Sequence, residues 1–208
     1  MRRRAGLVAA VAALTGAGAA AAASVALTSA TLTTATKTLT RATCTLAPSQ
    51  DAYVDSASSQ RNRNFGTATS LLVTGTTSQV SFAQFDLAGC ALPAGASVDS
   101  ATLRLVVTAA PLLSRDLAVH RVTATWTETG ITSSNQPAAA ATATATLATG
   151  STTGQRTTDV TADVDAFVRG AATNFGWRLT DPLIGATTTF GSRENTGNAP
   201  SLVVVYVH

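Results

Sequence analysis

Along Val98–Thr108 the chain alternates: Ala101, Leu103, Leu105 and Val107 fall on one side of an extended backbone, Thr102, Arg104 and Thr108 on the other. A period of two is the period of a strand, and a strand with one apolar face must lay it against a second apolar surface. Shorter runs repeat the pattern at Asp51–Asp55, Ser70–Thr74, Val80–Leu87, Leu117–Val122, Phe175–Thr180, Thr187–Ser192 and Leu202–Val207, with Gly, Pro and Asn between them. Short strands at this spacing predict an all-β fold, an antiparallel β-sandwich of jelly-roll type over residues 44–208. One segment breaks the pattern. Thr161 is a candidate N-cap, acidic residues follow it, Val164, Phe167 and Val168 make an apolar stripe, and Gly170 stands ready to end the turn. This predicts one short helix over Ala162–Arg169. Pro137–Gly154, a run of Ala and Thr, reads as a long surface excursion.

The front of the chain has a different composition. Met1–Arg4 is basic and Ala5–Ala23 is apolar and Ala-dominated, ending in small residues that offer Ala-x-Ala-type cleavage points. Residues 1–23 therefore read as a secretory signal peptide. The alternative is an uncleaved anchor over Ala5–Leu27, a length near that of a bilayer span, which Thr15, Gly16 and Gly18 weaken. Residues 24–43 are Thr, Ala and Ser without an aromatic residue, the composition of a linker. With the signal removed, the chain is expected to be secreted and to keep no stable membrane anchor.

Charge and cysteine count narrow the chemistry. The formal charge is +3, but Arg2, Arg3 and Arg4 lie in the signal, and from Cys44 onward there are nine Arg, no Lys and eleven acidic residues. That balance does not support a nucleic-acid surface. Cys44 and Cys90 are the two cysteines, and in an exported chain such a pair reads as a disulfide. It would close a loop of roughly 45 residues and contribute about 3–4 kcal/mol. Metal ligation needs companions that His120 and His208 do not supply, so neither a metal nor another cofactor is expected. Glycoside hydrolysis needs two carboxylates facing each other across a bond. The domain's glutamates are Glu128 and Glu194, and Glu194 follows Arg193 in what reads as a structural ion pair. No nucleophile elbow or phosphate loop is present. The chain reads as a non-enzyme, with lyase or hydrolase activity a remote alternative.

Several short motifs occur in a fixed order: Asp51-Ala52-Tyr53-Val54, Asn64-Phe65-Gly66-Thr67, Phe85-Asp86-Leu87, Ser100-Ala101-Thr102-Leu103-Arg104-Leu105, Trp126-Thr127-Glu128, Asp159-Val160-Thr161, Ser192-Arg193-Glu194 and Pro200-x-Leu202. In this order they resemble the DNRLRE domain, also called carbohydrate-binding module family 96, over roughly Gln50–Val207. The resemblance implies a secreted β-sandwich that holds a polysaccharide without cleaving it. The alternative function is a structural or adhesive cell-surface spacer that binds no sugar. The sequence departs from the family after Thr132: Ser133-Ser134-Asn135-Gln136-Pro137 stand where relatives often carry a second Trp.

Within that reading the ligand residues are expected in a loop. Gln60, Arg61, Asn62, Arg63 and Asn64 combine guanidinium forks with amides and meet both carboxylates and hydroxyls. Arg104 projects from the outward side of its strand and is expected to extend the same surface, for an acidic extracellular polysaccharide as partner. Trp126 and Trp177 are expected in the core.

Overall fold

The computed structural model describes residues 38–208; the expected signal peptide and most of the linker lie outside the described residues. Eleven strands follow in order: β1 (Arg41–Leu46), β2 (Gln50–Asp55), β3 (Ser70–Thr74), β4 (Gln79–Gln84), β5 (Ser97–Ala109), β6 (Asp116–Arg121), β7 (Ala145–Ala148), β8 (Gly154–Asp159), β9 (Trp177–Thr180), β10 (Thr187–Gly191) and β11 (Ser201–Val207). One helix, α1 (Thr161–Val168), lies between β8 and β9. Every strand pair is antiparallel, in the order β1-β11-β5-β10-β3-β4-β9-β6-β7, with β2 beside β4 and β8 beside β5.

This sheet curls over itself into a sandwich. Leu103, Leu105 and Val107 of β5, Leu202 and Val204 of β11 and Phe190 of β10 share one apolar cluster with Trp177 and Leu179 of β9, Leu117 and Val119 of β6 and Leu147 of β7. The two halves of the strand order thus face each other across a common core, as alternation on both strand sets requires. A second cluster lies on the far side of the β2/β4 half. There Ala52, Val54, Val80 and Phe82 pack against Val122, Trp126 and Ile131, so the chain after β6 covers that outer face and buries β4 on both sides. The outer face of β5 has no such apolar cover: Thr102, Arg104 and Thr108 stay half-buried.

The helix forms where its stripe predicts, one residue earlier at each end. Val164 and Phe167 enter the main core. Thr161 is the first helical residue rather than the cap; its hydroxyl accepts from the Ala101 amide at 2.8 Å, while Asp159 Oδ1 accepts from the Thr161 amide at 2.8 Å. Gly170 takes the left-handed conformation, φ +70°, that ends the turn. Cys44 and Cys90 are joined in a disulfide that ties β1 to a short 3-10 turn, Leu87–Cys90.

Two expectations need correction. Arg41–Thr43, assigned to the linker, belong to β1, whose register against β11 runs from Arg41↔Val207 to Leu46↔Leu202. Pro137–Gly154 is not simply a surface excursion: Ala145–Ala148 forms β7 on β6, and Leu147 is fully buried. A single Leu among Thr and Ala carries too little periodicity to announce a strand, but the β6 edge supplies its hydrogen bonds.

Candidate functional site

The patterned motifs converge at one side of the sandwich, around the start of β2. Asp51 is 1 % exposed; its Oδ2 accepts from the Arg193 amide at 2.8 Å and its Oδ1 has no partner. The Asp51 amide donates to Glu128 Oε1 at 2.9 Å. Arg193 Nη1 donates to both carboxylate oxygens of Glu128, at 3.0 and 3.1 Å, and to the Ser49 carbonyl. Glu194 lies farther from Arg193, at 3.6 Å, and accepts from the Ser192 hydroxyl. The ion pair expected between Arg193 and Glu194 is therefore chiefly one between Arg193 and Glu128. Burial, the largest cause, pushes the Asp51 carboxyl from 3.8 up to about 7; the Arg193 amide opposes this, and the charges of Glu194 and Glu128 add to it. Among the described residues no group of acidic, His or Cys side chains is arranged to hold a metal ion.

The Gln60–Asn64 loop is braced against this cluster. Asn64 Nδ2 donates to the carbonyls of Glu128 (2.6 Å) and Ile131 (2.8 Å), and its Oδ1 accepts from the Gly66 amide. A Cβ on Gly66 would stand 2.1 Å from the Glu128 carbonyl oxygen, so only glycine lets the loop approach so closely. Farther out, Ser134 clamps the loop: its amide donates to the Arg61 carbonyl, its hydroxyl donates to Asn62 Oδ1 at 2.6 Å and accepts from Arg61 Nε at 3.3 Å. Ser134 stands in the stretch where the sequence departs from the family pattern. Arg63 donates to Gln60 Oε1 at 2.9 Å and lies over the Phe65 ring, 5.3 Å from its centroid; Phe65 stacks on Tyr53 at 4.3 Å.

The sequence model of carbohydrate-binding module family 96 matches residues 42–206, from within β1 to within β11. The chain belongs to that family. No curated protein matches it.

In this family 96 module the arginines divide by partner. Arg41, Arg115, Arg121, Arg169 and Arg193 pair with Asp99, Asp181, Asp163, Asp165 and Glu128. Arg156 spends its guanidinium on the carbonyls of Thr149, Thr152 and Gln155. Among the described residues Arg61, Arg63, Arg104 and Arg178 form no ion pair, and of these four Arg61 and Arg63 are exposed. Asn62 is exposed beside them, whereas Asn64 is half-buried with its amide already engaged.

Arg104 does not join this surface. Alternation turns it to the outer side of β5, between Thr157 and Ser201 on the adjoining strands. The loop instead leaves β2, an edge strand of the opposite half, and rests on the segment covering that half's outer face. The structure also fixes the aromatics. Trp126 is 8 % exposed and donates to the Phe175 carbonyl; Trp177 is 1 % exposed and donates to Asp163 Oδ2 at 2.8 Å. Both serve the core. The residues missed in sequence are Ser134, Phe65 and Tyr53, whose roles depend on contacts between distant segments; only the Arg-x-Phe spacing hinted at one of them.

Proposed function

We propose that the module is exported and holds an acidic extracellular polysaccharide without catalysis, with Arg61, Asn62 and Arg63 facing the ligand. The observation that carries this reading is a pair of exposed guanidinium groups, without an ion pair among the described residues, on a loop fixed at Asn64 and Ser134. Both tryptophans are buried, and Phe65 is engaged by Tyr53 and Arg63. Recognition then rests on charge-assisted hydrogen bonds to carboxylates more than on sugar stacking. The two glutamates support a non-catalytic role: Glu128 is tied to Arg193 and Asp51, and Glu194 to Ser192. The disulfide and the signal-like first 23 residues support export into an oxidising compartment. Affinity electrophoresis in gels of alginate, polygalacturonate and a neutral glucan tests the reading. Retardation confined to the acidic gels and weakened by salt is expected.

A second reading, a structural or adhesive spacer, is favoured by one observation. Leu112, Leu113, Leu183 and Ile184 are exposed on two loops that Arg115 joins, pairing with Asp181 and donating to the carbonyls of Leu183 and Ile184. Contiguous exposed aliphatics mark contact surfaces. No retardation on any acidic gel would favour that reading.

A further inference from the structure

We propose that Phe65 is a positioning residue for ligand binding: stacked on Tyr53, it holds the Arg63 guanidinium in the pose that meets a carboxylate. This rests on the assignment of Arg61 and Arg63 as the ligand-facing cations.

The geometry forms a column. Tyr53 extends from β2, whose Ala52 and Val54 are locked in the second core, so its ring has a fixed base. The Phe65 ring lies 4.3 Å away at an interplanar angle of 19°. Its backbone is pinned on both sides, by the Asn64 amide on the Glu128 and Ile131 carbonyls and by the close approach of Gly66. The Arg63 guanidinium lies over this ring, and Gln60 takes a hydrogen bond from Nη1. Burial and the Asp55 charge raise the Tyr53 phenol pKa, and the Arg63 charge lowers it.

An exposed arginine ordinarily loses rotamer freedom when it grips a ligand. Here a ring face and an amide oxygen have already restricted it, while Nη2 and Nε remain without a protein partner among the described residues. Arg61 is held differently, by one 3.3 Å contact from Nε to Ser134. Loss of the column should therefore weaken binding by about three- to tenfold, the cost of immobilising one long side chain, with the loop's charge unchanged.

The test is a double-mutant cycle on soluble alginate by isothermal titration, with Phe65→Leu, Arg63→Ala and the pair. Phe65→Leu is expected to weaken binding in the wild-type background and to change nothing once Arg63 is gone. Phe65→Tyr, which keeps the ring, should bind as the wild type does and guards against misfolding of the leucine variant. In the free protein, the Arg63 side-chain NMR signals should be shifted upfield by the ring, and this shift should vanish in Phe65→Leu. Equal weakening in both backgrounds would reduce Phe65 to loop packing and overturn the inference, as would an unshifted Arg63 signal. If Arg63→Ala binds alginate like the wild type, or the wild type does not bind, the site assignment fails and the inference falls with it. If Arg63→Ala weakens binding but Phe65→Leu does not, only the positioning role falls.

Discussion

Two neighbouring clusters of charge meet at Glu128, and they use arginine in opposite ways. In the motif cluster Arg193 Nη1 bonds the Glu128 carboxylate and the Ser49 carbonyl, and the Arg193 amide bonds a buried Asp51. In the loop beside it, the guanidinium groups of Arg61 and Arg63 bond Ser134 and Gln60, Arg63 lies over the Phe65 ring, and among the described residues neither pairs with a carboxylate. The first cluster spends its charge on joining β2, the Trp126 turn and the end of β10. The second keeps its charge for solvent. The residues that carry the family pattern most visibly thus build the frame, and the groups proposed to face a ligand ride on it.

Perturbing the frame should change stability and leave binding intact. The largest effect is expected at the disulfide, outside both clusters. Cys90→Ser removes the bridge across 46 residues and should lower stability by about 4 kcal/mol in chemical denaturation. Retardation of the folded protein on acidic gels should not change; a loss would mean that the bridge reaches the site.

Asp51 gives the next effect, and its sign is opposite to that of an ordinary carboxylate. Folding raises its pKa from 3.8 to about 7, so the folded state favours the protonated acid. Its contribution is full below pH 3.8 and is lost as the pH rises through about 7, a change on the order of 4 kcal/mol. Asp51→Asn keeps an acceptor for the Arg193 amide and cannot ionise. Its urea midpoint should move less than the wild type's between pH 5 and pH 8, and at pH 8 it should be the more stable protein. Parallel pH profiles would show that Asp51 titrates normally and that the motif cluster tolerates its charge.

Glu128→Ala is expected to cost about 2–3 kcal/mol, through the loss of the ion pair with Arg193 and of the acceptor for the Asp51 amide, reduced by partial exposure of the pair. The backbone carbonyl that anchors Asn64 survives this change. Thermal melting should show the loss while affinity for alginate, measured well below the melting point, holds.

How far the sequence could be read follows the same division. Alternation announced β5 and its neighbours because each has one apolar side, and the stripe Val164, Phe167, Val168 announced the helix. It failed for β7 and β8, whose inward residues include Thr158, satisfied by the Thr146 carbonyl, rather than a row of aliphatics. It also understated Asp51: Ala52 and Val54 pack in the second cluster, and period two sets Asp51 on the opposite side of β2, a side that no aliphatic residue of the strand marks. The sandwich buries it all the same, because loops from residues 128 and 193 close over that side. The loop arginines were legible as a local charge density. Their brace was not, since Asn64 finds Glu128 across 64 residues and Asn62 finds Ser134 across 72. Arg104 shows the limit most plainly: its outward direction was readable, but which half of the sandwich it faced away from was a property of the topology.

The measurement that bears most directly on the central claim is the retardation of Arg61→Ala/Arg63→Ala on alginate and polygalacturonate gels, paired with its melting temperature. The account predicts an affinity lower by about 1–3 kcal/mol and a melting temperature close to the wild type's, since neither arginine holds a buried partner. Retardation equal to that of the wild type, with the wild type clearly bound, would contradict it and place the ligand elsewhere on the sandwich.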